Sequence, residues 1–225
     1  MKRYLFLLLF LLSADLQAQK VNPYGLKVIN NPEEYTASVV ADGNKRLVEI
    51  QKYIPDIKLD IRYAGTDNFA KQAVYKQARA FARLPVVKAL KNIQAELKKS
   101  GLGLKIFDGY RPYSVTVKFF EIASDKNFVA NPQKGSRHNR GCAIDLTLIN
   151  LNTGKELTMP TPYDSFAAEA SVDFKDLPAG IIKNRDLLRR VMERNGFRVL
   201  DNEWWHFDFR GWKNFELMDI PFEDL

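Results

Sequence analysis

The stretch GSRHNRGCAIDLTLI, residues 135–149, holds one of only two histidines in a chain of 225 residues. Its second half, CAIDLTLI (Cys142–Ile149), is a largely apolar run of the length and composition of a buried strand. One carboxylate, Asp145, interrupts that run. A charged oxygen in a buried strand is costly unless it is paired or bound to a metal. Two partners suggest themselves: an arginine, as a salt bridge, or His138, seven residues earlier across a glycine-containing bend, as a fellow metal ligand. The second histidine, His206, lies in the strand-like stretch NEWWHFDF (residues 202–209), three residues after Glu203.

Outward from this stretch the chain alternates helices and short strands without the steady rhythm of a doubly wound parallel sheet. KLDIRYAG from Lys58 alternates like a strand. From Gln77 to Lys99 the pattern is helical, with Val86, Leu90, Ile93 and Leu97 on one stripe and Gly101 as the stop. LKIFDGYRP reads as a strand entering a turn at Asp108-Gly109, and Ser114 as the N-cap of a second helix to about Ala123. A turn falls at Asn152-Thr153-Gly154. Leu187, Leu188, Val191 and Met192 mark a last helix ending at Gly196, and residues 19–45 are expected as a polar, turn-rich outer wrap. The fold expected is α+β: a single domain with a small, mainly antiparallel sheet flanked by helices, and the metal site at the sheet.

The N-terminus, MKRYLFLLLFLLSADLQAQ, joins Lys2 and Arg3 to an apolar run from Tyr4 to Leu12 that is too short to span a bilayer. It reads as a signal peptide over residues 1–18, cleaved before Gln19, leaving a domain over residues 19–225, no membrane span after cleavage, and a periplasmic or secreted protein. Loss of Lys2, Arg3 and Asp15 lowers the net charge from +7 to +6. The lysines are scattered and no nucleic-acid-binding motif is present, so no nucleic-acid partner is expected. Cys142 is the single cysteine, so no intramolecular disulfide orders the chain.

Imidazole nitrogens and a carboxylate oxygen are the ligands that catalytic zinc sites use, three from the protein with a fourth position left open. His138, Asp145 and His206 supply that set, and Glu203 stands close to it as a general base towards an attacking water. Taken singly, each histidine also reads as a hydrogen-bonded structural residue, and Trp204 and Trp205 as core.

SRHNRGCAID (Ser136–Asp145) fits SxHxxGxAxD and EWWH (Glu203–His206) fits ExWH. In this pair, and in DIRYAGTDNF, DGYRP, MPTPYDSF and LLRRVMERNGF in the same order, the chain resembles the zinc D-alanyl-D-alanine dipeptidases of the vancomycin-resistance type. The D,D-carboxypeptidases that share their metal centre form the wider group. The resemblance implies one Zn2+ per chain on His138, Asp145 and His206, with Glu203 as catalytic base. It implies that Arg111 stabilises the tetrahedral intermediate, that Ser136 lines the substrate pocket, and that Asp164 holds the free amino group of a small peptide substrate, D-Ala-D-Ala, in cell-wall metabolism. Arg111 bonded to turn carbonyls, Ser136 as a turn former and Asp164 bonding its own backbone are the alternatives. Gly65 and Cys142 depart from the family pattern without touching an expected ligand. A D,D-carboxypeptidase, or a non-catalytic wall-binding module, are the competing functions.

Overall fold

Residues 143–150 form the middle strand of the main sheet, as their apolar composition requires. The computed structural model describes residues 22–225; the segment read as a signal peptide lies outside the described residues. In chain order the elements are β1 (Val28–Ile29), α1 (Pro32–Ala41), β2 (Leu47–Glu49), α2 (Ile50–Tyr53), β3 (Lys58–Leu59), β4 (Phe81–Arg83), α3 (Leu84–Lys98), β5 (Leu102–Asp108), α4 (Tyr113–Ile122), β6 (Ala143–Asn150), α5 (Ala179–Arg194), β7 (Phe197–Leu200), β8 (Glu203–Phe209) and β9 (Leu217–Met218). The main sheet has the order β3-β5-β6-β8-β7. All its pairs are antiparallel except β3 with β5. Two small ribbons, β1 with β9 and β2 with β4, complete the α+β domain. Among the described residues no helix is long and apolar enough to cross a membrane.

Local chemistry accounts for most boundaries, including those that differ from expectation. The stripe Val86, Leu90, Ile93 and Leu97 is buried, and α3 packs on β5. The helix starts at Leu84 and not Gln77, because Pro85 suits a first turn and Phe81–Arg83 pairs as a strand with β2. Gly101, at φ +69°, ends that segment in the left-handed region. Ser114 does not cap α4; its backbone N–H and its hydroxyl both donate to Asp219 Oδ1, at 2.9 and 2.7 Å, so the cap comes from the far end of the chain. The outer wrap contains a helix, α1, with Asn31 accepting from Glu34 N, Pro32 in the first turn and no buried residue. Of KLDIRYAG only Lys58–Leu59 is strand, after which the chain turns at Arg62–Ala64.

Two close approaches carry the loops to the site. Arg83, fully buried, donates to the carbonyls of Arg140 at 2.8 Å, of Glu216 at 3.3 Å and of Lys45, tying the turn after His138 to β4 and the C-terminal segment. Gly109 lets the end of β5 pass under β4: a Cβ there would stand 2.6 Å from the Phe81 carbonyl oxygen, which itself accepts from Tyr110 N. Since the obstacle is backbone, Gly109→Ala is expected to cost about 1–3 kcal/mol, and thermal unfolding should show the midpoint falling by roughly 2–12 °C.

Candidate metal centre

Strand register builds the site. On β5, β6 and β8, Asp108 lies opposite Asp145 and Asp145 opposite His206, so three polar residues form one row across neighbouring strands. His138 joins the row from a short 3₁₀ turn, His138–Arg140, closed by Gly141 at φ +67°. A Cβ on Gly141 would crowd Leu47 Cδ2 at 2.6 Å and Arg83 N at 3.3 Å, but it is the left-handed φ that makes glycine the residue of choice in this turn.

The ligand atoms offered by His138, Asp145 and His206 all lie within 4.8 Å of one another, and all three residues are buried. Asp145 Oδ1 stands 3.0 Å from His206 Nδ1 and 3.4 Å from His138 Nε2, yet it has no hydrogen-bond partner. His138 Nε2 and His206 Nδ1 are 3.2 Å apart. A buried carboxylate oxygen approached by two imidazole nitrogens without a hydrogen bond is the arrangement that a cation between the three would satisfy. These residues could hold a metal ion.

Protonation follows the same crowding. Burial works to raise the Asp145 pKa, but His138 and His206 outweigh it and hold the carboxyl well below the usual range. Burial works to lower that of His206, but the neighbouring carboxylates of Asp145 and Asp208 outweigh it and push it well above the usual imidazole value. A metal on Nδ1 would compete with a proton for that nitrogen. His138 Nδ1 lies 2.7 Å from the Gly109 carbonyl, which can only accept, so Nδ1 is the donor there and Nε2 is the nitrogen that faces the centre. Asp145 Oδ2 accepts from the Tyr163 hydroxyl at 3.0 Å.

Around this group, all seven predicted residues, Arg111, Ser136, His138, Asp145, Asp164, Glu203 and His206, line one cavity of about 260 Å³. Arg111 donates through Nε and Nη2 to Asp108 Oδ2, at 2.9 and 2.6 Å, and its Nη2 is 3.8 Å from Asp145 Oδ2. Phe119 and Tyr63 present their rings to its guanidinium. It is therefore aimed by a carboxylate, not by turn carbonyls, and it is not the close partner of Asp145, whose nearest polar neighbours are the histidines and Tyr163. Glu203 Oε2 stands 3.8 Å from His206 Nδ1, and its pKa is raised by burial first and Asp145 second. Ser136 both lines the cavity and builds the turn, its Oγ accepting from His138 N at 3.2 Å.

Asp164 is held at φ +61°. Its Oδ1 accepts from the Tyr63 hydroxyl at 3.0 Å, while its Oδ2 is buried with no hydrogen-bond partner. Burial, with the charge of Asp145 second, lifts its pKa to about 8. Phe128 and Phe166 stack at 4.4 Å and form part of the cavity lining. Trp204 and Trp205 are core, as expected, with Trp205 also reaching the cavity wall. Cys142 is fully buried and outside the ligand group.

Four contributors escape a reading of the sequence: Asp108, Asp208, Tyr63 and Tyr163. Asp208 alone had a local signal, since residues i and i+2 of a strand share a face and it follows His206 at that spacing. The other three act across strands and loops.

A buried pair of imidazoles and a carboxylate, with a second carboxylate and an arginine facing the same small cavity, defines a hydrolase-type centre able to hold a metal. The chain matches the D-ala-D-ala dipeptidase family, Peptidase_M15, over residues 43–219, and belongs to it. It is 33% identical over 162 residues to the D-alanyl-D-alanine dipeptidase of Escherichia coli K12, covering 72% of this chain and 83% of that one. With the D-alanyl-D-alanine dipeptidase of Enterococcus faecalis V583 it shares 29% over 198 residues, 78% and 93% of the two chains. With that of Streptomyces coelicolor it shares 28% over 184 residues, 72% and 90%. By its family the chain is thus a peptidase.

Asp164 also governs stability. Its folded pKa of about 8 lies above the roughly 3.9 of an unfolded aspartate. Folding therefore favours the protonated form: the group costs nothing below about pH 4, costs progressively more as pH rises from about 4 to about 8, and the cost levels off above that. The groups facing it are Tyr63, Arg111, Asp145 and Glu203. Asp164→Asn, which tolerates the left-handed backbone, should melt higher than the unmodified chain by at least about 2 °C at pH 8.5, with the gap shrinking towards pH 4. A gap independent of pH would refute this assignment.

Proposed function

We propose that this protein is an exported, zinc-dependent dipeptidase that hydrolyses free D-alanyl-D-alanine to two D-alanines in peptidoglycan metabolism. The observation that carries the reading is Asp164 Oδ2, a buried carboxylate oxygen without a partner on the same small cavity as the His-Asp-His group. An ammonium group is the partner such an oxygen lacks, and a free dipeptide carries one within a few bonds of its scissile carbonyl. A blocked amine would leave Asp164 unpaired, at a cost of about 1–3 kcal/mol or more. The relatives named for D-alanyl-D-alanine support the same substrate. Export rests on the N-terminal sequence, a basic pair followed by a short apolar run.

His138 Nε2, Asp145 Oδ1 and His206 Nδ1 would hold one zinc ion, which when bound would polarise the substrate carbonyl and lower the pKa of water. Glu203, half-buried and beside His206, takes the proton of the attacking water. Its raised pKa suits it to keep that proton and then deliver it to the leaving amine. Arg111, fixed by Asp108, presents a permanent positive charge to the oxygen that becomes negative as the carbonyl is attacked. Asp164 binds the amino group and so places the carbonyl. The phenyl rings of Phe128 and Phe166 narrow the cavity on the side of the loops that carry them.

Glu203→Ala should retain zinc while turnover falls by about 10²–10⁴-fold, whereas His206→Ala should lose both, measured by metal analysis and release of D-alanine. Assaying D-Ala-D-Ala beside an N-acetylated peptide ending in D-Ala-D-Ala tests the substrate: cleavage of the free dipeptide alone is expected. Cleavage of the blocked peptide would assign the protein to the D,D-carboxypeptidases, and full zinc occupancy with neither cleaved would indicate a binding module.

A further inference from the structure

The row of polar residues does not end at His206. Two positions further along β8, on the same face, Asp208 Oδ1 lies 3.0 Å from His206 Nε2. Its side chain is 14% exposed, and its Oδ2 lies 3.5 Å from Arg137 Nε. The Arg137 guanidinium rests 4.9 Å from the centre of the Trp212 ring, which limits its movement and hence that of the carboxylate.

We infer that Asp208 is a positioning residue for the metal centre: it selects the nitrogen of His206 that faces His138 and Asp145, and it holds the ring in that orientation. The inference rests on the zinc reading given above. A carboxylate only accepts hydrogen bonds, so with Asp208 in place the Nε2 proton is retained and Nδ1 is the nitrogen left to bind a cation. Without Asp208 an internal competitor takes over. Asp145 Oδ1 is 3.0 Å from Nδ1, and a neutral His206 free to carry its proton on Nδ1 would donate it there, closing the ligand group with a hydrogen bond in place of a metal. Asp208 makes the open form of the group the favoured one. His138 is served in the same manner by the Gly109 carbonyl. Since a backbone carbonyl cannot be lost by substitution, Asp208 is the one of these two histidine supports that a substitution can test.

The test is the zinc affinity of the full mature chain, measured by competition with a chromogenic chelator, for the unmodified protein, Asp208→Ala and Asp208→Asn. The visible spectrum of each Co2+-substituted form is recorded in parallel. Asp208→Ala is expected to bind zinc about 10–100-fold more weakly and to show an altered cobalt spectrum, because the His206 ring is no longer fixed. Asp208→Asn keeps the shape of the side chain and covers the case in which the alanine variant does not fold; it should also bind more weakly, since an amide is a poorer acceptor than a carboxylate. Unmodified affinity and an unmodified cobalt spectrum in the folded variants would overturn the role of Asp208. Failure of the unmodified chain to bind zinc would overturn the metal centre itself, and this proposal with it.

Discussion

The structure turns on one buried carboxylate. Asp145 sits at the centre of the central strand, 3% exposed, in a run that is otherwise packed core. Several kcal/mol are needed to bring such an ion out of water unless its oxygens are matched. One oxygen is matched by the Tyr163 hydroxyl, from the loop after β6, and the other faces two imidazoles, one from the turn before β6 and one from β8. Those three contacts draw together the parts of the chain that make the cavity. The packing of β8 beside β6 and the seating of the 163–166 loop over the sheet are solutions to the same problem.

Carboxylates of unlike environment then divide the work. Asp145, beside two imidazoles, is held ionised, while Glu203 and Asp164, more distant from cations, are pushed towards their protonated forms by burial. Divergent protonation of neighbouring acids is how one cavity can set similar side chains to different tasks, here proposed as ligand, proton carrier and amine anchor. Asp108 plays a fourth part. Its Oδ2 takes two hydrogen bonds from Arg111, and its Oδ1 accepts from Tyr75 and from Gly109 N, so the arginine is fixed to the sheet through a side chain that never reaches the cavity.

The strands β5, β6 and β8, the core of α3 and the last helix were legible from periodicity and from glycine stops, because those signals are local. The ligand group was legible for a related reason: a lone acid in an apolar run, and histidines scarce enough for their settings to stand out. What was misplaced involved distant partners. The start of α3 depends on β2 pairing with Phe81–Arg83, and the cap of α4 comes from Asp219. In α1 the helix signals were present, but an unburied helix shows no apolar stripe.

By itself, the sequence determined which residue types stand at which spacing, and so which strands form and which side chains are chemically able to bind a metal, move a proton or hold an amine. Tertiary structure alone decided that Asp108, Asp145 and His206 share one row, that Tyr163 and Asp208 orient two of the three candidate ligands, and that one oxygen of Asp164 is left without a partner. The physical reason is that register and burial are set by contacts between segments far apart in the chain. Composition limits which pairings are affordable, but only the packed sheet selects one of them.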